Sequence, residues 1–207
     1  MGWYENRVLP ILIDRGMRND VMTQHRAKIV PLATKTVLEI GIGSGFNIPY
    51  YGKSVDRLYG LEPSAQLLEK AAVLAETAPF PVDFLAAPAQ DIPLEENSVD
   101  TIFSSWTLCS IPELGAALKE MRRVLKPDGQ FIFIEHGRAP DANVAKWQDR
   151  LAPVLRVLAG CSPNKKMDEL ILKAGFEFTV LDKEYLKGPK FISYHYIGQA
   201  QAQRAQS

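Results

Sequence analysis

Two short segments constrain the fold more than any other part of the chain: Val37-Leu38-Glu39-Ile40-Gly41-Ile42-Gly43-Ser44-Gly45, and Leu58-Tyr59-Gly60-Leu61-Glu62. In each, an apolar run of strand length ends at an acid, and the first continues into a Gly-x-Gly-x-Gly turn. Glycines reach backbone dihedrals closed to other residues and let the chain pass close to a ligand. A carboxylate at the tip of the neighbouring strand can accept hydrogen bonds from both ribose hydroxyls. The pair therefore reads as a nucleoside site. A dinucleotide fingerprint has the spacing Gly-x-Gly-x-x-Gly and seats a pyrophosphate on a helix N-terminus. Here its third glycine would fall at Phe46, which disfavours a nicotinamide oxidoreductase. Glu39, just before the glycines, suits a cationic ligand better than a phosphate.

Nothing in the composition opposes this reading. A chain of 207 residues suits one domain, 1–207, with a sizeable core. Basic and acidic residues balance at 24 each, so no nucleic-acid surface is expected. Cys109 and Cys161 lie far apart, form no Cys-x-x-Cys pair and lack metal-ligand spacing. Each is read as a core residue of a reduced, cytoplasmic protein, with no metal site. No apolar run approaches the ~20 residues of a membrane span, and no signal peptide is expected. Asn6 stands where a myristoylation motif beginning at Gly2 needs Ser or Thr. The oligomeric alternatives are a monomer or a homodimer.

After a helical N-terminal stretch, β-rich runs alternate with helical patterns, the signature of parallel strands joined by crossover helices. Strands are expected near Thr36–Ile40, Arg57–Leu61, Val82–Ala86, Val99–Ser104 and Gln130–Glu135. Ser64 can cap a helix presenting Leu67, Leu68, Ala71, Ala72 and Ala75 on one face, after Pro63 turns the chain. Glu113–Val124 repeats that pattern, and Lys126-Pro127-Asp128-Gly129 makes a turn into the next strand. Further helices are expected over about 143–159, interrupted by Pro153, and over Met167–Ala174, ended by Gly175. Phe176–Leu181 and Phe191–Gly198 read as a closing strand pair, residues 1–34 as an N-terminal helical lid, and 199–207 as a frayed tail.

The acid-x-Gly-x-Gly-x-Gly turn and the acid ending the second strand resemble the class I S-adenosylmethionine (SAM) dependent methyltransferases. Ala89-Gln90-Asp91-Ile92-Pro93-Leu94, Ser98-Val99-Asp100, Ser104–Leu108 and Arg123–Gly129 follow in that family's order. The resemblance implies an α/β fold: a doubly wound, mostly parallel seven-stranded sheet with helices on both faces and a reversed hairpin at one edge. It also implies SAM as cofactor. Gly41, Ile42, Gly43 and Gly45 would pass under its methionine and ribose parts, with Glu39 orienting the loop and offsetting the ammonium charge. Glu62, followed by Pro63, would hold the ribose. Many relatives carry an acid just before the third motif, where this chain has Pro88. Adenine recognition therefore falls to Ala89 and Gln90, while Asp91 caps a turn. Ser105 would contact the methionine end, flanked by Trp106.

Methyl transfer from a sulfonium is an in-line displacement with a neutral leaving group, so positioning matters more than acid catalysis. His136, at the end of the fifth strand, is either a general base or a ring that fixes the following loop. In the C-terminal third, Glu135-His136, Trp147-Gln148, Leu151, Pro153, Leu158, Gly160-Cys161 and Tyr196 resemble the microsomal alkyl-thiol methyltransferases. Those enzymes carry an N-terminal membrane anchor, and none is expected here. This resemblance implies a small, rather apolar acceptor, a thiol among the candidates. Lipid and quinone methyltransferases share the core, so an amphiphilic acceptor with peripheral membrane contact is the alternative. Trp3, Tyr4, Val8, Leu9, Ile11, Leu12 and Ile13 would pack on the domain or seek a surface. A SAM-binding protein without catalysis would keep the same glycines and Glu62.

Overall fold

The computed structural model describes Asp14 and residues 16–203. Among them, seven strands form one sheet in the order β3-β2-β1-β4-β5-β7-β6. These are β1 Lys35–Ile40, β2 Val55–Leu61, β3 Val82–Leu85, β4 Val99–Ser105, β5 Leu125–His136, β6 Phe176–Tyr185 and β7 Tyr194–Ala202. Strands β1 to β5 run parallel to one another, and β7 lies antiparallel between β5 and β6. This is the doubly wound sheet with a reversed edge hairpin that the sequence implied. The chain steps outward from β1 to β3, then returns to place β4 on the other side of β1. Such a reversal leaves a crevice beyond the carboxyl ends of the strands.

The α-helices with described bounds are α1 Asp20–Ile29, α2 Ala65–Ala75, α3 Leu114–Val124, α4 Ala142–Ala159, α5 Met167–Lys173 and the short α6 Lys190–Ser193. Successive strand residues point to opposite faces, so the central strands feed two cores. Leu38, Ile40, Ile102, Phe131 and Phe133 pack with Leu118 and Met121 of α3. Val37, Phe103, Ile132 and Ile134 pack on the other face with Ile29 of α1 and Val30. Burial on both faces is what a parallel sheet requires, and each such side chain contributes about 1.5–3 kcal/mol.

Several local expectations are corrected. Helix α4 runs unbroken through Pro153 and ends where Gly160 takes φ +69°. Proline removes one hydrogen bond, but Ala145, Gln148 and Ala152 bury the inner face of the turns that precede it and hold the helix against the domain. The turn at Lys126–Gly129 is an irregularity inside β5: Val99 pairs with Leu125, yet Thr101 pairs with Gln130. Pro127 has no N–H for the ladder, so the register slips there. Phe191 lies in α6, before β7 begins. Gln199–Ala202 belong to β7 instead of a tail, because β5 and β6 pair with that strand from both sides; residues 204–207 lie outside the described residues. Residues 1–13 and 15 do too, and with them most of the expected lid and the Trp3–Ile13 reading. Ser64 precedes α2, but its hydroxyl makes no capping bond; its N–H donates to Glu62 Oε1 at 3.0 Å.

Candidate active site

A cleft of about 420 Å³ opens at the carboxyl ends of β1, β2 and β4, within the size range of small-molecule sites. Its floor is the glycine loop after β1. Gly41, Gly43 and Gly45 have φ of +67°, +55° and +79°, a region costly for residues with a Cβ. A Cβ on Gly41 would stand 2.3 Å from Thr107 Cγ2, and one on Gly45 would stand 3.0 Å from Ala71 Cα of α2. On Gly43 the nearest atom would be the loop's own Gly41 carbonyl oxygen at 3.9 Å. Gly41, Ile42 and Gly43 line the cleft; Gly45 does not, because it is the close-approach point that lets α2 pack beneath the loop.

Glu39 is completely buried behind this loop and off the cleft wall, which leaves it the loop-orienting part of its expected role and no surface on the cleft itself. Asn47 Nδ2 donates to its Oε1 at 2.6 Å and the Tyr51 hydroxyl donates to its Oε2 at 2.8 Å. The same Asn47 nitrogen lies 2.9 Å from Ser105 Oγ. Arg26 Nε donates to Asn47 Oδ1 at 3.0 Å, and Arg26 Nη1 donates to the Met17 carbonyl at 3.0 Å. Burial pushes the Glu39 carboxyl up to about 7, against the lowering effects of Tyr51, Asn47 and Arg26. Asn47, Ser105 and Arg26 do line the cleft, so Glu39 acts on it through them. The sequence reading missed Asn47 and Arg26. Asn47, directly after the glycine turn, carried a usable signal; Arg26, on a largely polar helix, did not.

Glu62 stands at the tip of β2 and lines the cleft, with Pro63 beside it. Burial raises its carboxyl above the ordinary range, while N–H groups of Ser64 and Gly43 pull it back. Pro88, Ala89 and Gln90 line the same cleft; Asp91 is exposed and closes a turn by donating its N–H to the Pro88 carbonyl at 3.0 Å. Met17, Phe46 and Trp106, gathered around Arg26, also line the cleft, as do Ile111 and Pro112. Trp106 has φ +51°, a conformation costing about 1–3 kcal/mol in a non-glycine residue. Its N–H donates to the Ile134 carbonyl at 2.8 Å, and its Nε1 donates to His195 Nε2 at 3.0 Å. The Arg26 guanidinium sits 5.5 Å from the Phe46 ring centroid and 5.3 Å from that of Trp106.

Comparison with known proteins agrees with this geometry. Residues 38–133 match the family described as a methyltransferase domain. That stretch, a little under half of the chain, is similar to the SAM-dependent methyltransferases. The chain is 30% identical over 135 residues to a ubiquinone/menaquinone biosynthesis C-methyltransferase of Geotalea daltonii, covering 63% of this chain and 56% of that one. It is 27% identical over 179 residues to a human (Homo sapiens) thiol S-methyltransferase, covering 82% of this chain and 72% of the relative. Against the first of these the chain spans little more than half the length. A solved SAM-dependent methyltransferase from Thermotoga maritima superposes with a TM-score of 0.71 at 22% identity, over 98% of this chain and all of that one, a likeness of fold.

The residues of this cleft fit SAM. A Cβ on Gly43 would enter the cleft, and the Glu62 carboxylate stands at the strand tip suited to a ribose. His136 is placed differently from its reading as a base at the reaction edge. It is absent from the cleft wall; its Nδ1 lies 3.8 Å from the sulfurs of both Cys109 and Cys161, and its ring packs 4.5 Å from that of His195. The antiparallel pairing of β5 with β7, which sets His136 opposite His195, turns it there. The neighbouring Glu135 is fully buried and accepts from Ser104 Oγ at 2.7 Å and Thr107 N–H at 3.0 Å. Burial raises its carboxyl to about 6, and it braces the loop that carries Trp106 and Thr107.

Proposed function

We propose that this protein transfers the methyl group of SAM to a small, apolar acceptor, with an alkyl thiol as the favoured class. The make-up of the cleft wall carries this reading. Gly43, Glu62 and Gln90 are offered to a nucleoside, and the apolar side chains of Met17, Phe46 and Trp106 to an acceptor. The thiol choice draws support from the thiol S-methyltransferase match, which covers 82% of this chain and so extends beyond the shared central domain. When bound, SAM supplies an electrophilic methyl group on a sulfonium. Glu62 would accept the ribose hydroxyls, Gly41–Gly43 would carry the methionine part, and Ser105, oriented by Asn47, would contact its polar end. Phe46 and Trp106 would exclude water and hold the acceptor in line, where positioning supplies most of the rate. A thiol is intrinsically nucleophilic and reacts through its ionised fraction, so the acceptor proton can leave to solvent without a base on the cleft wall.

A second reading, an amphiphilic acceptor presented at a lipid surface, is favoured by one observation. Trp147, Val154, Val157 and Leu158 on α4 are each more than half exposed. No helix among the described residues is long and apolar enough to cross a membrane, so such contact would be peripheral. Incubating the protein with labelled SAM and a panel of alkyl thiols, amines, phenols, quinols and phospholipid vesicles separates the readings. Label in the thiols is expected. Label only in quinols or vesicle lipid would replace the first reading with the second, and SAM binding without any labelled product would make the protein a non-catalytic SAM binder.

A further inference from the structure

Cys109, Cys161 and His136 come from three separate segments: the loop after β4, the loop after α4 and the end of β5. Their ligand atoms all lie within 4.8 Å of one another. The two sulfurs are 2.9 Å apart, and His136 Nδ1 is 3.8 Å from each. None of the three lines the cleft, and the methyl-transfer reading uses none of them. Sequence spacing gave no sign of this cluster, because the cysteines are 52 positions apart; only the packing of the α4 loop against the β4 loop joins them.

We infer that this chain binds one zinc-class divalent ion through Cys109 Sγ, Cys161 Sγ and His136 Nδ1. Bond lengths of ~2.3 Å to sulfur and ~2.0–2.1 Å to nitrogen at tetrahedral angles separate two sulfurs by about 3.8 Å, and a sulfur from a nitrogen by about 3.5 Å. The histidine nitrogen already stands near that separation from both sulfurs. The sulfur pair has to open by about 0.9 Å, and Cys161 lies half-buried just beyond the end of α4. The frame around the ligands is tied together. The Ser162 N–H donates to the Cys109 carbonyl at 3.1 Å. Lys165 Nζ donates to the carbonyls of Leu108 at 3.1 Å and Ile111 at 2.6 Å. His136 is held by its pairing with His195. Ion entry releases the two thiol protons to solvent, and the two thiolates neutralise the ion's charge. Three protein ligands leave a fourth position for water or another small donor, the pattern of open zinc sites. The inference is independent of the methyl-transfer reading, since a metal titration and SAM calorimetry on the same protein succeed or fail separately.

The test is a titration of the full chain, reduced with a phosphine in metal-free buffer, with Co²⁺ and then Zn²⁺. One equivalent of Co²⁺ should bind with a thiolate-to-metal charge-transfer band, and one equivalent of Zn²⁺ should bleach it. Cys161→Ser and His136→Gln should each weaken the ion by on the order of a hundredfold, with circular dichroism confirming that both remain folded. Wild-type protein without the band, or a Cys109→Ser/Cys161→Ser variant that takes up as much metal as wild type, would overturn the site. So would reduced protein that binds no ion while the unreduced protein yields a Cys109–Cys161 cross-linked peptide; the pair would then be a disulfide.

Discussion

Trp106 donates its indole N–H to His195 Nε2 at 3.0 Å, while Nδ1 of the same imidazole lies 2.8 Å from the Ser193 carbonyl. A carbonyl can only accept, so Nδ1 carries the proton and Nε2 is left to accept from the indole. The neutral tautomer thus anchors a tryptophan held at positive φ on the cleft wall. Burial, the larger cause, and the neighbouring His136 hold the His195 ring well below its ordinary value, at about 3.

This has a signed consequence for acid stability. A histidine whose folded value lies below its unfolded value of 6.5 stabilises the fold fully above that value, and the contribution is lost as pH falls towards 3. Between pH 7 and pH 5 the loss is about 2 kcal/mol. His195→Gln keeps an acceptor for Trp106 but cannot take the proton. Urea unfolding at the two pH values should show wild type losing about 2 kcal/mol more than the variant; equal losses would mean His195 already titrates normally in the fold.

Glu39 has the opposite sign. Its folded value of about 7 lies above the unfolded 4.5, so its contribution is present below pH 4.5 and is lost as pH rises through 7. A cationic sulfonium bound in front of the loop favours the carboxylate. SAM binding near pH 7 should therefore release up to about half a proton, and affinity should rise between pH 6 and pH 8. Calorimetry in buffers of different ionisation enthalpy measures the released proton. Glu39→Gln should abolish the release, and a variant that still releases it would assign the proton to another group.

The glycines separate ligand space from packing space. Gly43→Val should leave the domain folded and abolish SAM binding, because the new side chain enters the cleft. Gly45→Ala should instead destabilise the domain by roughly 1–3 kcal/mol, since its Cβ would press on α2. Thermal melts and SAM calorimetry on both variants give the contrast, and a folded Gly43→Val protein with normal SAM affinity would reject the loop as the cofactor floor.

Replacing Glu62 by Ala should weaken SAM by about 1.5–3 kcal/mol, roughly tenfold to a hundredfold, through loss of charge-assisted bonds to the ribose. Stability should fall only modestly, by the bonds that the carboxylate accepts from the Ser64 and Gly43 N–H groups. Unchanged affinity by calorimetry would remove Glu62 from the ribose site.

The sequence by itself determined the glycine floor and the strand-ending acid, and its resemblance to a known family implied the sheet. An apolar run closed by Gly-x-Gly-x-Gly, and a second closed by an acid, are local patterns whose physical meaning survives any packing, so Gly41, Gly43 and Glu62 could be placed from them. The limits of α4 and β7 could not: Pro153 argues locally against a helix, and Gln199–Ala202 argue locally for a tail, until buried contacts and two-sided strand pairing override both. Tertiary structure alone decided the rest. It buried Glu39 behind Asn47 and brought Arg26 from α1 to the cleft. It also turned His136 from the reaction edge towards Cys109 and Cys161. Each of those relations joins residues distant in sequence through the packing of separate elements, and nothing in the spacing of one segment reports where another segment's side chains will lie.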